Sequence, residues 1–169
     1  VHNHGKGKGR RSPALDVMLK IVEDIGQGVA YLYTIGVTHG NLKSSNVVIS
    51  CDFEAHITDY SLSFFGNHGD NGAASIATSA CPYMAPEYKY NTHNMTCMVD
   101  VYSFSVILLK ILSGKPLTHV VMNMRDLPRW VMSVREEIQL EEREKDEVQL
   151  FLNIVMACMS PSPELRPSM

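Results

Sequence analysis

The side chains best suited to chemistry gather in one short stretch, THGNLKSSNVVIS, which runs from Thr38 to Ser50. It contains a histidine, two asparagines and a lysine, and the carboxylate of Asp59 follows nine residues after its end. Amide and carboxylate oxygens are the hard ligands that Mg²⁺ requires. An asparagine such as Asn41 accepts a hydrogen bond but is a negligible base. These residue types are compatible with metal binding, although Asp59 also suits the turn at the end of a hairpin.

Composition argues against several other classes of protein. The net charge of −3 gives no general attraction to nucleic acid or to an anionic membrane. The longest apolar run, Val106 to Leu112, is too short to span a bilayer and contains Lys110. Four cysteines form no CxxC pair and no zinc-finger spacing, so we predict free thiols in a reducing compartment. They are Cys51, Cys81, Cys97 and Cys158.

The first residues form a basic, Gly-rich segment without apolar periodicity, and we predict a flexible loop or linker over residues 1–14. Gly5, Gly7 and Gly9 raise the alternative of a phosphate-binding loop. Such loops follow a strand, and no strand is indicated before these glycines. The segment could also contact acidic lipid or a protein partner. The total length of 169 residues suits one domain, which we place at residues 15–169.

The elements that must position the chemical residues are mainly helical. Apolar residues recur every three or four positions between Leu15 and Leu32, which predicts an amphipathic helix. Gly26 and Gly28 interrupt this helix, and we attribute them to close packing against another element. The segment Val99–Ser113 is apolar on nearly all sides, which predicts a buried helix.

Short strands, irregular segments and charged residues complete the pattern. Val47–Ile49 and the apolar residues before Asp59 flank a polar turn, which predicts a β-hairpin. Residues 59–87 are rich in Gly, Ser, Asn and Ala, so we expect an irregular, mobile segment there. Trp130 lies in a predicted shorter helix. The charges in residues 136–147 indicate a solvated helix face that leads into VQLFLNIVMACM, a second predicted buried helix.

Five motifs occur in a fixed order along this pattern. They are His39-Gly40-Asn41-Leu42-Lys43 with Asn46, Asp59-Tyr60-Ser61, Ala85-Pro86-Glu87, DVYSF from Asp100 and RPSM from Arg166. Together they resemble the C-terminal lobe of a eukaryotic protein kinase, and most closely the plant leucine-rich-repeat receptor-like kinases whose catalytic loop reads His-Gly-Asn. The resemblance covers nearly the whole chain. It implies a mainly α fold, a helical kinase C-lobe truncated at both ends, with a small β-hairpin beside the catalytic loop and the N-lobe absent.

This resemblance assigns ligand roles to three residues. Asn46 and Asp59 match the residues that hold the Mg²⁺ ions bridging the ATP phosphates. Lys43 matches the lysine that neutralises the transferring phosphate, although it could also be an ordinary surface lysine. Mg²⁺ and ATP are thus the cofactors of complete family members. No Gly-rich loop, strand lysine or matching helix glutamate precedes residue 1, and this argues against nucleotide binding by the chain itself.

The resemblance also implies structural roles that need no catalysis. It pairs Glu87 with Arg166, which would tie the segment after residue 59 to the rest of the lobe through a bidentate contact. It makes Asp100 the buried helix residue that accepts hydrogen bonds from the backbone of the catalytic loop. It places His39 inside the protein as a packing residue.

Two positions depart from an active kinase loop. Asn41 stands where the family has the catalytic aspartate, and a positioned base contributes roughly 10²–10⁴ in rate. Gly40 stands where the family has an arginine that receives the phosphate of the activation segment. Phosphorylation of the candidate sites would therefore lack its usual partner. These candidate sites are Ser75, Thr78 and Ser79.

We therefore expect a catalytically impaired pseudokinase lobe that signals by binding receptor or co-receptor kinases, with no nucleic-acid partner. Resemblance places it at the cytoplasmic side of the plasma membrane, attached only through a segment outside this chain. The alternative is a weak ATP-dependent Ser/Thr kinase whose N-lobe is missing here. A third possibility is a truncated product without stable function.

Overall fold

The computed structural model describes residues 13–60, 81–90, 96–114 and 142–169. Helices dominate these ranges, and the predicted mainly α fold is confirmed. The helices are α1 (Pro13–Thr34), α2 (Pro86–Tyr90), α3 (Cys97–Ser113) and α4 (Glu142–Cys158), with 3₁₀ helices at Ser44–Asn46, Cys81–Tyr83 and Pro163–Leu165. The strands are β1 (Val47–Ile49) and β2 (Ala55–Ile57).

The two strands form the predicted β-hairpin. They pair antiparallel with Val47 opposite Ile57. The Ala55 N–H donates to Asp24 Oδ2 at 2.9 Å, which ties the hairpin to α1. Beyond β2, the Thr58 N–H donates to the carbonyl of Asn46 at 2.9 Å. The hairpin therefore directly follows the loop that contains Asn41 and Asn46, and it is attached to α1.

Helix α3 forms the centre of the described core, as its apolar sequence predicts. Every residue from 99 to 109 is buried. The helix packs against α1, against α4 and against the 3₁₀ helix Cys81–Tyr83. Fully burying one large aliphatic side chain contributes about 1.5–3 kcal/mol. The helix can therefore serve as a rigid base for the segments that contact it.

Close packing between α1 and β2 explains one of the two predicted helix glycines. A Cβ atom on Gly28 would lie 2.8 Å from Cδ1 of Ile57, so a larger residue would force Ile57 to move. A Cβ atom on Gly26 would meet Phe104 Cζ at 3.6 Å, which is an ordinary contact. The prediction is thus confirmed at Gly28, while the packing does not require glycine at Gly26.

Several predicted boundaries and faces differ from the structure. Helix α1 begins at Pro13, inside the predicted linker 1–14, because the fixed φ of proline suits a first helical turn. Helix α4 is not buried on most faces, since Leu150 is 61% exposed and Ile154 is 40% exposed. Glu144 is buried rather than solvated, because it precedes the buried Val148 by four residues and shares its helix face.

The end of the segment predicted as irregular contains helical turns, at Cys81–Tyr83 and Pro86–Tyr90. Proline residues at Pro82 and Pro86 fix φ near helical values, which favours such short turns. The helix predicted around Trp130 and residues 61–80 lie outside the described residues.

Candidate functional site

The residues from Thr38 to Asn46 form the loop that joins α1 to β1. His39, Leu42 and Asn46 are buried, so the loop is anchored at three points along its length. Between these anchors, Asn41, Lys43 and Ser44 are half-buried and Ser45 is exposed. The loop therefore holds its functional side chains at the edge of the core, where a ligand can reach them.

Asp100, in the first turn of α3, fixes the start of this loop. Its Oδ2 accepts from the His39 N–H at 2.7 Å, and its Oδ1 accepts from the Gly40 N–H at 2.9 Å. Burial raises the pKa of the Asp100 carboxyl to about 6, while the two N–H donors oppose that rise. The contact predicted from the resemblance thus joins residues that are 61 positions apart in the sequence.

Gly40 gives the loop the conformation that this contact needs. Its φ is +73°, in the left-handed region where glycine avoids the steric cost that other residues meet. Two successive N–H groups, from His39 and Gly40, then reach the same carboxylate. The glycine in place of arginine therefore suits the backbone at this point as well as removing a cation.

The His39 imidazole lies in the core. The residue is fully buried, and burial lowers its pKa, so the ring is neutral at physiological pH. Its Nδ1 accepts from the Asn41 N–H at 3.4 Å. The histidine thus packs inside the protein and supports the loop from within.

Asn41 and Asn46 are joined by a hydrogen bond within the loop. Asn46 Nδ2 donates to the Asn41 carbonyl at 3.0 Å. The side-chain Oδ1 of Asn41 is buried and has no hydrogen-bond donor among the described residues. It is therefore an acceptor that the protein encloses. A neutral amide can accept a hydrogen bond from a hydroxyl but cannot take its proton.

Asn46 and Asp59 lie at the same end of the hairpin, because the Thr58 N–H bonds to the Asn46 carbonyl. Asp59 is exposed, with a φ of +61° that is tolerated at turns by aspartate. Asn46 is buried, and its Oδ1 accepts a long hydrogen bond of 3.3 Å from the Ser45 hydroxyl. Lys43 directly precedes the 3₁₀ helix that leads to Asn46.

These two oxygen ligands fit one way of holding Mg²⁺. The ion is usually bound through one or two carboxylates together with substrate phosphates, and it retains several waters. No group of three or more His, Cys, Asp or Glu side chains suited to a metal occurs among the described residues. Asp59 and Asn46 each offer an oxygen of the kind that Mg²⁺ accepts.

Glu87 and Arg166 form a bidentate ion pair between α2 and the last described segment. Nη1 lies 2.6 Å from Oε1 and Nη2 lies 2.7 Å from Oε2. The guanidinium also donates to the carbonyls of Met98 and Ser160, at 2.8 and 2.9 Å, and its Cζ is 5.2 Å from the Tyr102 ring centroid. The buried charge of Arg166 thus has the partners that burial demands.

One polar cluster was not predicted from the sequence. Lys110 Nζ donates to Ser44 Oγ at 2.7 Å, and Ser44 Oγ lies 2.9 Å from the Tyr83 hydroxyl. Lys110 was visible only as a charge inside the apolar run 106–112. A lysine in such a run needs water or a polar partner for its ammonium group, and this was the available signal.

The candidate phosphorylation sites Ser75, Thr78 and Ser79 lie outside the described residues. Within the described ranges, none of the helices combines the length and the apolar character that crossing a bilayer requires.

Comparison with known proteins shows that the sequence of this chain is similar to those of protein kinases. Residues 4–169 match the family described as protein tyrosine and serine/threonine kinase. An inactive leucine-rich repeat receptor-like serine/threonine-protein kinase of Arabidopsis thaliana is 39% identical over 160 residues, which cover 89% of this chain and 24% of that protein.

Two further relatives from Arabidopsis thaliana match nearly the whole chain. A probable inactive receptor kinase is 34% identical over 182 residues, covering 98% of this chain and 27% of its own length. Receptor-like protein kinase 5 is 31% identical over 180 residues, covering 98% of this chain and 18% of its own length. The chain thus spans between 18% and 27% of the length of these three relatives.

Proposed function

Because the chain belongs to the protein tyrosine and serine/threonine kinase family, we propose that it is a catalytically impaired receptor-like kinase domain that signals by binding protein partners. The observation that carries this proposal is Asn41. It occupies the position of the catalytic base, and its buried Oδ1 has no donor among the described residues. Two similar proteins, one named as inactive and the other as probably inactive, support the same conclusion.

The chemistry at Asn41 explains the impairment. In an active kinase, an aspartate accepts the proton of the substrate hydroxyl. The Asn41 amide can orient that hydroxyl, but the proton has no base to receive it, which costs roughly 10²–10⁴ in rate. Bound Mg²⁺ and ATP would supply the phosphoryl group and neutralise its charge. Asn46, Asp59 and Lys43 are the residues that would hold them.

The surrounding frame supports a role in binding. Asp100 holds the loop through two backbone N–H groups, and Glu87 and Arg166 are joined by a bidentate contact. We assign both contacts an architectural role, tying the loop and the segment before α2 to the core. Neither contact needs catalysis. A domain with this frame and without a base can present a defined surface to receptor or co-receptor kinases, at the cytoplasmic side of the plasma membrane.

Two measurements on the purified chain test this proposal. Isothermal titration with an active leucine-rich repeat receptor-like kinase domain should show association with and without Mg²⁺·ATP. A thermal-shift assay with Mg²⁺·ATP should separately report nucleotide binding, which Asp59→Asn would abolish and the matched control Asp52→Asn would preserve. An absence of association with such kinase domains would contradict the binding role.

A weak ATP-dependent Ser/Thr kinase is the second candidate function. The position of Asn46 and Asp59 at one end of the hairpin favours it, because both oxygen ligands for Mg²⁺ are retained. Phosphate transfer that disappears in Asp59→Asn would favour this candidate. A thermal shift without transfer would instead indicate that the chain binds nucleotide only as a ligand.

A further inference from the structure

The cluster of Lys110, Ser44 and Tyr83 has no part in the proposed chemistry. It joins three segments: α3, the 3₁₀ helix that starts at Ser44, and the 3₁₀ helix that ends at Tyr83. The Lys110 ammonium donates to Ser44 Oγ at 2.7 Å, and the two hydroxyl oxygens of Ser44 and Tyr83 lie 2.9 Å apart. All three residues are half-buried.

This cluster has more hydrogen-bond donors than it has acceptors among the described residues. A lysine ammonium has three N–H donors, and serine and tyrosine each have one O–H donor. The two hydrogen bonds within the cluster use two of these five donors. Two ammonium protons and one hydroxyl proton therefore have no acceptor among the described residues.

The charge of the cluster is also uncompensated within the described ranges. Lys110 forms no ion pair with a described carboxylate, whereas Lys20 on α1 has Glu54 at 3.8 Å. A half-buried ammonium has lost part of its hydration, and an anion would replace that loss. The site thus attracts negative charge at a place where the described residues supply no carboxylate partner.

The donors are held on rigid supports. The Lys110 carbonyl accepts from the Gly114 N–H at 3.0 Å, which closes the last turn of α3. The Tyr83 carbonyl accepts from the Ser103 hydroxyl at 2.8 Å, which fixes the second 3₁₀ helix on the same α3. Because the donors are already in place, a ligand would order few side chains on binding, and preorganisation of this kind raises affinity.

From these observations we propose that Lys110, Ser44 and Tyr83 bind the phosphoryl group of a phosphorylated segment of a partner protein. A phosphoryl group offers three acceptor oxygens and nearly two negative charges, which match the three donors and the one cation. A carboxylate offers less charge and two oxygens. The inference rests on the proposed binding role and deepens it, because it names the chemistry of the partner.

The position of the cluster favours a polypeptide over free phosphate. Ser44 follows Lys43 directly and lies three residues after Asn41, which is a half-buried polar residue of the same loop. A peptide lying along this loop would bring a phosphorylated residue to Lys110 and a neighbouring polar group to Asn41. Inorganic phosphate would reach only the first of these two contacts.

The test uses a short fluorescein-labelled peptide of glycine and alanine that carries one phosphoserine. Fluorescence anisotropy measures its binding to the purified chain without Mg²⁺ or ATP. We expect binding of the phosphoserine peptide, weaker binding of an aspartate peptide and none of a serine peptide. Lys110→Met should weaken binding at least about tenfold, the usual loss for a charge-assisted hydrogen bond. The matched control Lys20→Met should leave it unchanged.

A second variant keeps the proposal testable if Lys110→Met does not fold, which circular dichroism would reveal. Tyr83→Phe removes one hydroxyl and should weaken phosphopeptide binding by about threefold or more. Equal binding to wild type and Lys110→Met, or equal binding of phosphoserine and serine peptides, would overturn the proposal. No phosphopeptide binding at about 1 mM, the weakest specific range, would also overturn it.

Three further outcomes distinguish a failure of this inference from a failure of the proposed function. Inorganic phosphate that competes as tightly as the phosphopeptide would show an anion site without a peptide, and would contradict this inference. Association with a kinase domain that survives Lys110→Met would also contradict it and leave the proposed function intact. Phosphopeptide binding without kinase-domain association would support the inference and count against the proposed function.

Discussion

At position 41, we propose that an amide group stands where an active kinase has a carboxylate, because an amide can orient a hydroxyl but cannot take its proton. Asn41 Oδ1 is buried and without a donor among the described residues. Its neutral charge prevents it from holding the proton that leaves that hydroxyl. The same loop is fixed by Asp100, a buried carboxylate that accepts hydrogen bonds from the backbone N–H groups of His39 and Gly40.

Restoring the base tests whether Asn41 is the main defect. Asn41→Asp should raise Mg²⁺-dependent phosphate transfer at least about tenfold, because a positioned base contributes roughly 10²–10⁴. Transfer of labelled phosphate to a serine peptide measures the effect. Asn153→Asp, an exposed site on α4, is the control and should give no gain. Unchanged transfer in Asn41→Asp would mean that base loss is not the only defect.

Asp100 predicts a specific dependence of stability on pH. Burial raises its pKa from 3.8 to about 6 in the folded protein. The folded state therefore binds the proton more tightly than the unfolded state, and this contribution to stability is lost as the pH rises through about 6. The free energy of unfolding of wild type should fall by about 2 kcal/mol relative to Asp100→Asn between about pH 4 and 7.

Urea unfolding of both proteins across this pH range measures the difference. The remaining carboxyls and His39, which packs in the same region, are present in both proteins and largely cancel. A difference in free energy that stays constant with pH would show that the Asp100 pKa is not raised by burial.

At the scale of elements, the contact between α1 and β2 determines where α1 needs glycine. Gly26→Ala should raise the free energy of unfolding by up to about 1 kcal/mol, because alanine favours the helix and its methyl group fits. Gly28→Ala should be less stable than Gly26→Ala, since its methyl group would lie 2.8 Å from Ile57 Cδ1. Thermal unfolding compares the two, and equal stability would refute the close approach.

The contact between α2 and the last described segment depends on one ion pair. Arg166→Met should lower the free energy of unfolding by about 3 kcal/mol, because it leaves Glu87 without its buried partner. Adding Glu87→Gln to this variant should cost less than Glu87→Gln alone. Denaturant unfolding of the four proteins gives the coupling energy. Strictly additive effects would show that the two side chains do not stabilise each other.

At the scale of the whole molecule, the local sequence pattern predicted the helices and strands better than it predicted which polar residues are buried or in contact. The apolar run of α3 and the turn between β1 and β2 are encoded by neighbouring residues, so both elements were predicted from the sequence. Glu144 was misread because the inward face of α4 depends on how that helix packs against α3. The charge pattern of residues 136–147 alone does not contain that information.

In the candidate site, too, some contacts were predicted from the sequence and others were not. The order of motifs located Asp100 and the loop that it holds, although they are 60 positions apart in the chain. The cluster of Lys110, Ser44 and Tyr83 was not predicted, because three segments meet there and none of them has a distinctive spacing. A polar contact of this kind exists only after the core has brought α3 beneath both 3₁₀ helices.

The proposed loss of catalysis is tested most directly by an assay of phosphate transfer with the purified wild-type chain. The chain is incubated with labelled ATP and a serine peptide, with Mg²⁺ or with EDTA, beside the Asp59→Asn variant. We predict incorporation at the level of the protein-free blank in every sample. Robust labelling that requires Mg²⁺ and disappears in Asp59→Asn would contradict a domain that has kept the kinase frame without its base.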